Sequence, residues 1–159
     1  MGTMTSNMLA AGARVTAIEP QRDLAQLVWA TACLNGWGDR LRLYGNAVTA
    51  DGAEAGASLE LGNREKAGKW GFRPDGAHLK KDATTFEAKT VWLEQVVGDT
   101  KKFSYVKIDT DAIDDALTHS LFKMIDAGKI EVTTLQVEEP KAEICHLMQS
   151  KHGYSMYIT

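Results

Sequence analysis

Cysteine, proline and long apolar runs are all scarce in this chain. Its 159 residues include only 2 cysteines and 3 prolines. Cys33 and Cys145 lie far apart in the sequence, which excludes a disulfide framework and the paired spacing of a structural zinc site. We therefore predict no metal ligands. Both cysteines fall in apolar, helix-like stretches, so we expect buried, reduced thiols in a reducing compartment.

The chain also lacks the features that direct proteins to membranes or nucleic acids. No apolar run approaches the roughly 20 residues that a membrane span needs. The N-terminus has neither the basic leader nor the apolar stretch of a secretory signal, which predicts a cytoplasmic protein. A net charge of -3 and a pI near 5.8 argue against a nucleic-acid partner, because nucleic acids select a basic face.

What the sequence does contain is ordinary for a globular protein, with one exception. Its 44% hydrophobic and 25% charged residues predict a single domain over residues 1–159. The exception is the stretch 62–82, "GNREKAGKWGFRPDGAHLKKD", in which six basic residues face three acids and four glycines. This composition predicts a long loop, either a solvated excursion or a lid that faces a substrate.

Strand-like and helix-like segments alternate along the rest of the chain. Residues 14–18 are predicted to form a strand, and a helix is predicted over about 21–35. "LRLYGNAV" at 41–48, "FSYVKIDTD" at 103–111 and "VTTLQVEE" at 132–139 are further predicted strands. Such alternation predicts an α/β fold with a mostly parallel, doubly wound sheet and helices on both faces. The helix is expected to pack through one apolar face, formed by Leu24, Leu27, Val28, Thr31 and Leu34.

Three of these strands end on acidic residues. Glu19 follows the first strand, Asp109 follows the strand within 103–111, and Glu138 with Glu139 ends the last. In open α/β sheets ligands bind beyond the carboxyl ends of the strands. Carboxylates from three strands at one edge therefore indicate a binding site, and Glu19 is predicted to accept hydrogen bonds from the hydroxyls of a ribose.

In this order and spacing, the segments resemble the FkbM-type methyltransferases, which use S-adenosylmethionine. The matching runs are "GARVTAIEP", the helix end "LNG", "LYGNAV" and above all "YVKIDTDA". "VWLEQVV" is similar to the short apolar run ahead of the family's K-I-D strand. The resemblance covers nearly the whole chain, from about residue 2 to residue 157. It implies a Rossmann-like sheet of the class I methyltransferase type and methyl transfer to an oxygen of a small molecule or sugar.

The resemblance also implies which residues bind the cofactor. Glu19, followed by Pro20, matches the family's acid that accepts hydrogen bonds from both ribose hydroxyls. Two carboxylate oxygens suit a vicinal diol better than a neutral side chain does. Asn46, with Ala47, matches the position near the adenine edge, where an amide can pair with a ring nitrogen or the exocyclic amine.

The implied catalytic residues are Asp109 and Asp111. Asp109 matches the aspartate of the K-I-D run, which faces the transferred methyl group. Methyl transfer is an in-line displacement in which the protein positions the nucleophile and removes its proton, so either carboxylate is a candidate base or hydroxyl orienter. Asp111 and Ala112 depart from the Glu and Gly of the family, and Ala for Gly could crowd a close backbone approach.

A larger departure concerns the start of the family's domain, which opens with a strand and a glycine-rich turn, D-x-G-A-N-x-G. This chain matches it at most in Gly2, so we expect an N-terminally incomplete domain. The absent strand would lie between the strands at 14–18 and 104–109, and these two are expected not to pair directly. Two alternatives stay open. One is a catalytically incomplete or non-enzymatic domain, and the other is a nicotinamide-dependent oxidoreductase fragment, in which Glu19 would also hold a ribose.

Overall fold

The computed structural model describes residues 2–50, 54–62, 85–110, 113–138 and 140–155. The α-helices in these ranges are α1 (Thr3–Ala10), α2 (Arg22–Leu34), α3 (Leu93–Val97), α4 (Asp114–Asp126) and α5 (Ala142–Ser150). The strands are β1 (Val15–Ile18), β2 (Leu41–Tyr44), β3 (Ala47–Thr49), β4 (Ser58–Gly62), β5 (Thr85–Trp92), β6 (Lys102–Ile108) and β7 (Glu131–Val137). No helix in the described ranges is long and apolar enough to cross a membrane. The predicted loop lies outside these ranges except for Gly62, as do Asp111 and Glu139.

The described strands form three small sheets. In two of them a pair of parallel strands joins β1 to β2 and β6 to β7. In the third, β5 lies between β3, which is parallel to it, and β4, which is antiparallel. The predicted α/β class with mostly parallel pairing is therefore confirmed. The single continuous sheet that we expected is not seen among the described residues.

The two strands expected not to pair directly are indeed unpaired with each other. β1 is hydrogen-bonded to β2, and β6 is hydrogen-bonded to β7. Within the described part of the chain, neither has a second strand partner. Each of these strands therefore presents one edge whose backbone groups no described strand satisfies.

The prediction of one continuous strand over residues 41–48 is wrong. β2 ends at Tyr44, and β3 begins at Ala47 and pairs with a different strand, with Ala47 opposite Thr90 of β5. Gly45 and Asn46 separate the two, and both are residues that favour turns over strands. The Asn46 Nδ2 atom donates a 3.0 Å hydrogen bond to the Lys89 carbonyl, which ties the break to β5.

A first apolar core forms where α1 and α2 cover one face of the β1–β2 pair. Its fully buried members are Leu9, Ala32 and Leu41, with partly buried side chains packed around them. Gly2 caps the start of α1 with a φ of 68°, in the left-handed region that favours glycine. A Cβ at this position would lie 2.8 Å from Cγ2 of Val28 on α2. Gly2 therefore has a local structural role, since it lets the first turn of α1 approach α2 closely.

The predicted apolar face of α2 is wrong at Leu27 and Leu34, whereas Leu24, Val28 and Thr31 are half-buried. Leu27 is 62% exposed and Leu34 is 88% exposed. The helix instead turns a narrower side inward, because small side chains allow it to lie close to the core. The buried or half-buried residues of that side follow helical spacing: Ala25, Val28 and Ala32.

The prediction of two buried cysteines is wrong for Cys33. This side chain is exposed near the end of α2, because the inward side of the helix is centred on its alanines. Cys145 on α5 is half-buried, and its Sγ lies 3.9 Å from the carbonyl oxygen of Pro140. Both thiols are free.

A second core forms under the β6–β7 pair. Ile108 of β6 packs with Leu117 and Leu121 of α4, and Val97 of α3 joins them. α5 lies against α4 on a further apolar cluster of Phe122, Ile144 and Met148. One face of the β6–β7 pair is therefore apolar and covered.

The opposite face of this pair is polar towards its carboxyl end. Because side chains alternate along a strand, Tyr105, Lys107 and Asp109 share the face that points away from Ile108. The Tyr105 hydroxyl bonds to the Gln136 side chain on β7, and the Lys107 ammonium bonds to Asp109. The carboxyl end of this polar face carries the strand-end acids that the sequence singled out.

Candidate functional site

The carboxyl ends of β1 and β2 carry the predicted cofactor residues. The Glu19 amide donates a 3.0 Å hydrogen bond to the Tyr44 carbonyl, which extends the pairing by one residue. Pro20 then ends the strand, because it has no amide hydrogen to continue the ladder. Asn46 follows Tyr44 by two residues, so the parallel register of β1 and β2 brings Glu19, Pro20 and Asn46 to the same edge.

A cleft opens at this edge, between α2 and β5. Its volume is about 490 Å³, and both Pro20 and Asn46 line it. Trp29 of α2 and Leu43 of β2 give it apolar walls, and Glu87 and Lys89 of β5 add charged groups. The size and the mixture of apolar walls with a few polar groups are typical of small-molecule sites.

Ala47 does not line this cleft. Its side chain is buried with Leu61 and Ala88, in the core of the sheet built around β5. That position gives Ala47 a packing role. Its proposed part in cofactor binding stays a prediction.

The carboxyl group of Glu19 is about half-buried at the end of β1, and Glu19 precedes the cleft residue Pro20 without lining the cleft itself. Its Oε1 atom accepts a 3.0 Å hydrogen bond from the amide of Gln21, at the start of α2. Burial raises the pKa of the Glu19 carboxyl above its ordinary value of 4.5, and the Gln21 hydrogen bond opposes this shift in part. An ionised carboxylate has about four acceptor positions, so this one bond leaves most of its capacity for the hydroxyls of a ligand.

Because burial disfavours the charged form, Glu19→Gln is expected to raise the free energy of unfolding at neutral pH. The wild-type carboxyl loses stability as pH rises from its ordinary value of 4.5 through its raised folded value, and glutamine avoids this loss. Below about pH 4 the wild-type group is protonated in both states, so the two proteins should then be equally stable. Urea unfolding at both pH values measures the difference.

Glu60→Gln is the matched control, since Glu60 is exposed on β4. It should leave the free energy of unfolding within about 0.5 kcal/mol of wild type at either pH. A Glu19→Gln variant that is less stable at neutral pH would show that the charged carboxylate stabilises the fold.

The amide of Asn46 is partly engaged by the protein. One Nδ2 hydrogen bonds to the Lys89 carbonyl, which fixes the orientation of the amide group at the cleft. The Oδ1 atom can then accept a hydrogen bond from a donor such as an exocyclic amine. The second Nδ2 hydrogen can still donate to a ring nitrogen, so both pairings that the sequence left open for Asn46 remain available.

Asp109 lies at the carboxyl end of β6, in a second group of polar residues. Its Oδ2 atom is bound by the Lys107 ammonium, and Glu138 follows the end of β7 next to it. Hydrogen bonding with Glu138 lowers the pKa of the Asp109 carboxyl, with Lys107 adding to the effect and partial burial opposing it. Asp109 is therefore a stably ionised acceptor and a weak base.

The backbone just after Asp109 is anchored to the start of α4. The amide of Thr110 donates a 2.7 Å hydrogen bond to Oδ1 of Asp114, and its hydroxyl donates to the same atom at 3.1 Å. The Thr118 hydroxyl donates to the Asp114 carbonyl one turn further along. These bonds hold Asp109 between the end of a strand and the start of a helix. Asp111 lies outside the described residues.

The predicted site residues thus fall into two groups. Glu19, Pro20 and Asn46 are held by the β1–β2 pair, whereas Asp109 is held with Glu138 by the β6–β7 pair. Sequence reasoning gave Lys107 no role, although its place two residues before Asp109 on a strand put it on the same face.

Sequence reasoning also gave no site role to Trp29 and no specific partner to Glu138. Nothing in the sequence indicated a site role for Trp29, because its place in the cleft depends on how α2 packs. The sequence did indicate Glu138, since this acid follows β7, the strand that pairs with β6.

Among the described residues, the polar side chains of these two sets of residues are carboxylates, one amide and one ammonium. Among them, no cluster of three or more His, Cys, Asp or Glu side chains is placed to hold a metal ion. Comparison of the chain with protein-family models, curated proteins and solved structures finds no match.

Proposed function

We propose that this chain binds S-adenosylmethionine and supports methyl transfer to a hydroxyl oxygen of a small molecule or sugar. The observation that carries the proposal is the cleft at the carboxyl ends of β1 and β2, which Pro20 and Asn46 line beside the half-buried Glu19. The proposal includes a Rossmann-like, doubly wound arrangement of the class I methyltransferase type. It is supported by the resemblance of the sequence to the FkbM-type enzymes.

The chemistry of the cleft suits the adenosine part of the cofactor. Trp29 and Leu43 offer apolar surface to a flat heterocycle. The oriented amide of Asn46 can accept a hydrogen bond from the exocyclic amine, and both oxygens of Glu19 can accept bonds from a vicinal diol. When bound, S-adenosylmethionine supplies an electrophilic methyl group on a sulfonium.

The proposed task of Asp109 is to orient the acceptor's hydroxyl group. In the displacement, the bond from the acceptor oxygen to the methyl carbon forms, and the bond from carbon to sulfur breaks with its electron pair going to sulfur. The hydroxyl proton passes to a carboxylate and then to water. Hydrogen bonding with Glu138 is the largest cause of the lowered pKa of Asp109. Because a carboxylate with a low pKa is a weak base, Asp109 suits the task of orienting the hydroxyl better than that of removing its proton.

Isothermal titration calorimetry of the 159-residue chain with S-adenosylhomocysteine tests the proposal. We expect saturable binding with a dissociation constant of about 1–100 µM, a range that corresponds to roughly 5.5–8 kcal/mol. Adenosine should compete for the same site, because the cleft offers its contacts to the nucleoside part. NADH is the comparison ligand for the oxidoreductase alternative. Binding of NADH without binding of S-adenosylhomocysteine would overturn the proposal.

A further inference from the structure

A second cavity lies at the amino end of β7, away from the strand-end acids. Its volume is about 450 Å³. Ile125 of α4, Ile130 and Val132 give it apolar walls, and the turn that follows α5 lines it with His152 and Tyr154. Because a strand rises about 3.3 Å per residue, Val132 lies more than about 15 Å from the carboxyl end of β7.

The imidazole of His152 is a buried polar group on the wall of this cavity. Only 6% of the side chain is exposed. Its ring stacks on that of Phe122, with 4.1 Å between the ring centroids and 16° between the ring planes. Its Nε2 atom is buried and has no hydrogen-bond partner among the residues that the structure describes. Such an atom is costly, because folding has removed it from water without replacing the lost hydrogen bond.

The surroundings of the other ring nitrogen indicate which kind of partner Nε2 lacks. Nδ1 of His152 lies 3.9 Å from Oδ1 of Asp126, and the second oxygen of that carboxylate is bound by Lys151. A neutral imidazole carries one proton, and a carboxylate that faces Nδ1 favours the proton on that nitrogen. Nε2 is then an acceptor, and the partner that it lacks is a hydrogen-bond donor.

The other polar side chains on the wall fit a neutral donor better than an ion. The Tyr154 hydroxyl donates a 2.8 Å hydrogen bond to the Val132 carbonyl, so its oxygen is left to accept a bond. Apart from the imidazole, Glu131 is the one ionisable carboxylate or ammonium residue among the described residues that line the cavity. Its carboxylate is already paired with Lys102 at 2.9 Å. A charged ligand would therefore lose its hydration without gaining a free opposite charge on this wall.

We propose that this cavity binds a small neutral molecule that joins an apolar body to one hydroxyl or N–H donor, with the donor bonded to Nε2 of His152. Phenols and indoles are the simplest members of this class. The apolar walls bury the body of the ligand, and one placed acceptor selects the donor. Nε2 is closed to solvent before binding, so side chains along the wall shift as the donor enters, a common adjustment on binding. This site is independent of the proposed function.

A fluorine NMR titration of the 159-residue chain with para-fluorophenol tests the proposal. We expect saturable binding with a dissociation constant of about 0.1–1 mM, which is ordinary for so small a ligand. The control ligand is para-fluoroanisole, in which a methoxy group replaces the hydroxyl on the same ring. It should bind at least about 10-fold more weakly, because it has no donor for Nε2. Equal affinities, or no binding of the phenol at millimolar concentration, would overturn the proposal.

Nitrogen-15 NMR of the histidine rings locates the bound phenol. In the free chain at pH 8, where imidazoles are ordinarily neutral, the proton of His152 should be on Nδ1. Addition of para-fluorophenol should shift the Nε2 resonance of His152 and leave that of His146, which is exposed on α5. A proton on Nε2 in the free chain would overturn the assignment of this atom as an acceptor. An unchanged His152 resonance would place the binding elsewhere and overturn the proposal.

His152→Phe removes the acceptor and keeps an aromatic ring to stack on Phe122. This variant should bind the phenol and the anisole with affinities within about 3-fold of each other. His146→Phe is the matched control and should keep the preference of the wild type. A preference retained in His152→Phe would overturn the role of Nε2. The comparison of the two ligands on the wild type, with the nitrogen resonances, decides the proposal even if the variant fails to fold.

Discussion

Replacing Asp109 with asparagine is expected to lower the turnover of methyl transfer at least about 100-fold, the usual scale for a positioned acid–base group. Asparagine keeps the shape of the side chain but loses the negative charge that orients the acceptor's hydroxyl group. Turnover is measured with S-adenosylmethionine that carries an isotopically labelled methyl group, on any hydroxyl acceptor that the wild type methylates.

The same variant is expected to keep its thermal stability. The Asp109 side chain is 37% exposed, and the ion pairs of exposed groups contribute at most about 1 kcal/mol. The melting temperature should therefore change by only a few degrees, since 1 kcal/mol corresponds to about 2–4 °C in a domain of this size. A large loss of stability would show that Asp109 mainly supports the fold, and full turnover would remove it from the mechanism.

Asp126→Asn is the control for this experiment. Asp126 is also a surface aspartate bound by a lysine, with 2.6 Å between its Oδ2 and the Lys151 Nζ. It belongs to α4, at the end remote from the carboxyl end of β6. Loss of this ion pair should leave turnover unchanged, which separates the position of Asp109 from the loss of a charge in general.

Glu19→Ala is expected to weaken the binding of S-adenosylhomocysteine by about 1.5–3 kcal/mol, the range for hydrogen bonds to a charged group. This corresponds to roughly a 10- to 150-fold higher dissociation constant. The physical reason is that the carboxylate is already partly desolvated, so its bonds to a diol replace few contacts with water. Calorimetry measures the change.

The control for Glu19→Ala is Asp23→Ala, which changes the net charge equally. Asp23 is exposed in the first turn of α2, four residues from Glu19. If both variants bind equally weakly, the effect is long-range electrostatics. An unchanged dissociation constant in Glu19→Ala would end the assignment of this residue to the ribose.

Much of the local structure could be predicted from the sequence. The apolar runs at 14–18 and 103–111 indicated β1 and β6, and the spacing of Leu117 and Leu121 indicated α4. The acids that follow the strands were visible as well, because a chain that alternates strands and helices places strand ends at one edge. These are features that a short stretch of sequence determines by itself.

What escaped prediction depends on tertiary neighbours. Periodicity showed that α2 is amphipathic, but the alanines, not Leu27 or Leu34, allow its close packing on the core. The break at Gly45 was hidden in a run with strand-like composition, and the preference of β3 for β5 is a long-range pairing. The pair of Asp109 with Glu138 required the register of β6 against β7, which no local pattern specifies.

The edges of β1 and β6 that no described strand pairs with also bear on how the chain behaves at high concentration. An unpaired strand edge is a template for the backbone of another molecule, and natural sheets protect such edges with lysine, proline or very short strands. β6 carries Lys102 and Lys107, whose charges discourage such pairing. β1 reads "VTAI", without a charge or a proline, and only its length of four residues limits what can be added to it. Of these two edges, β1 is therefore the less protected against pairing with a strand of another molecule.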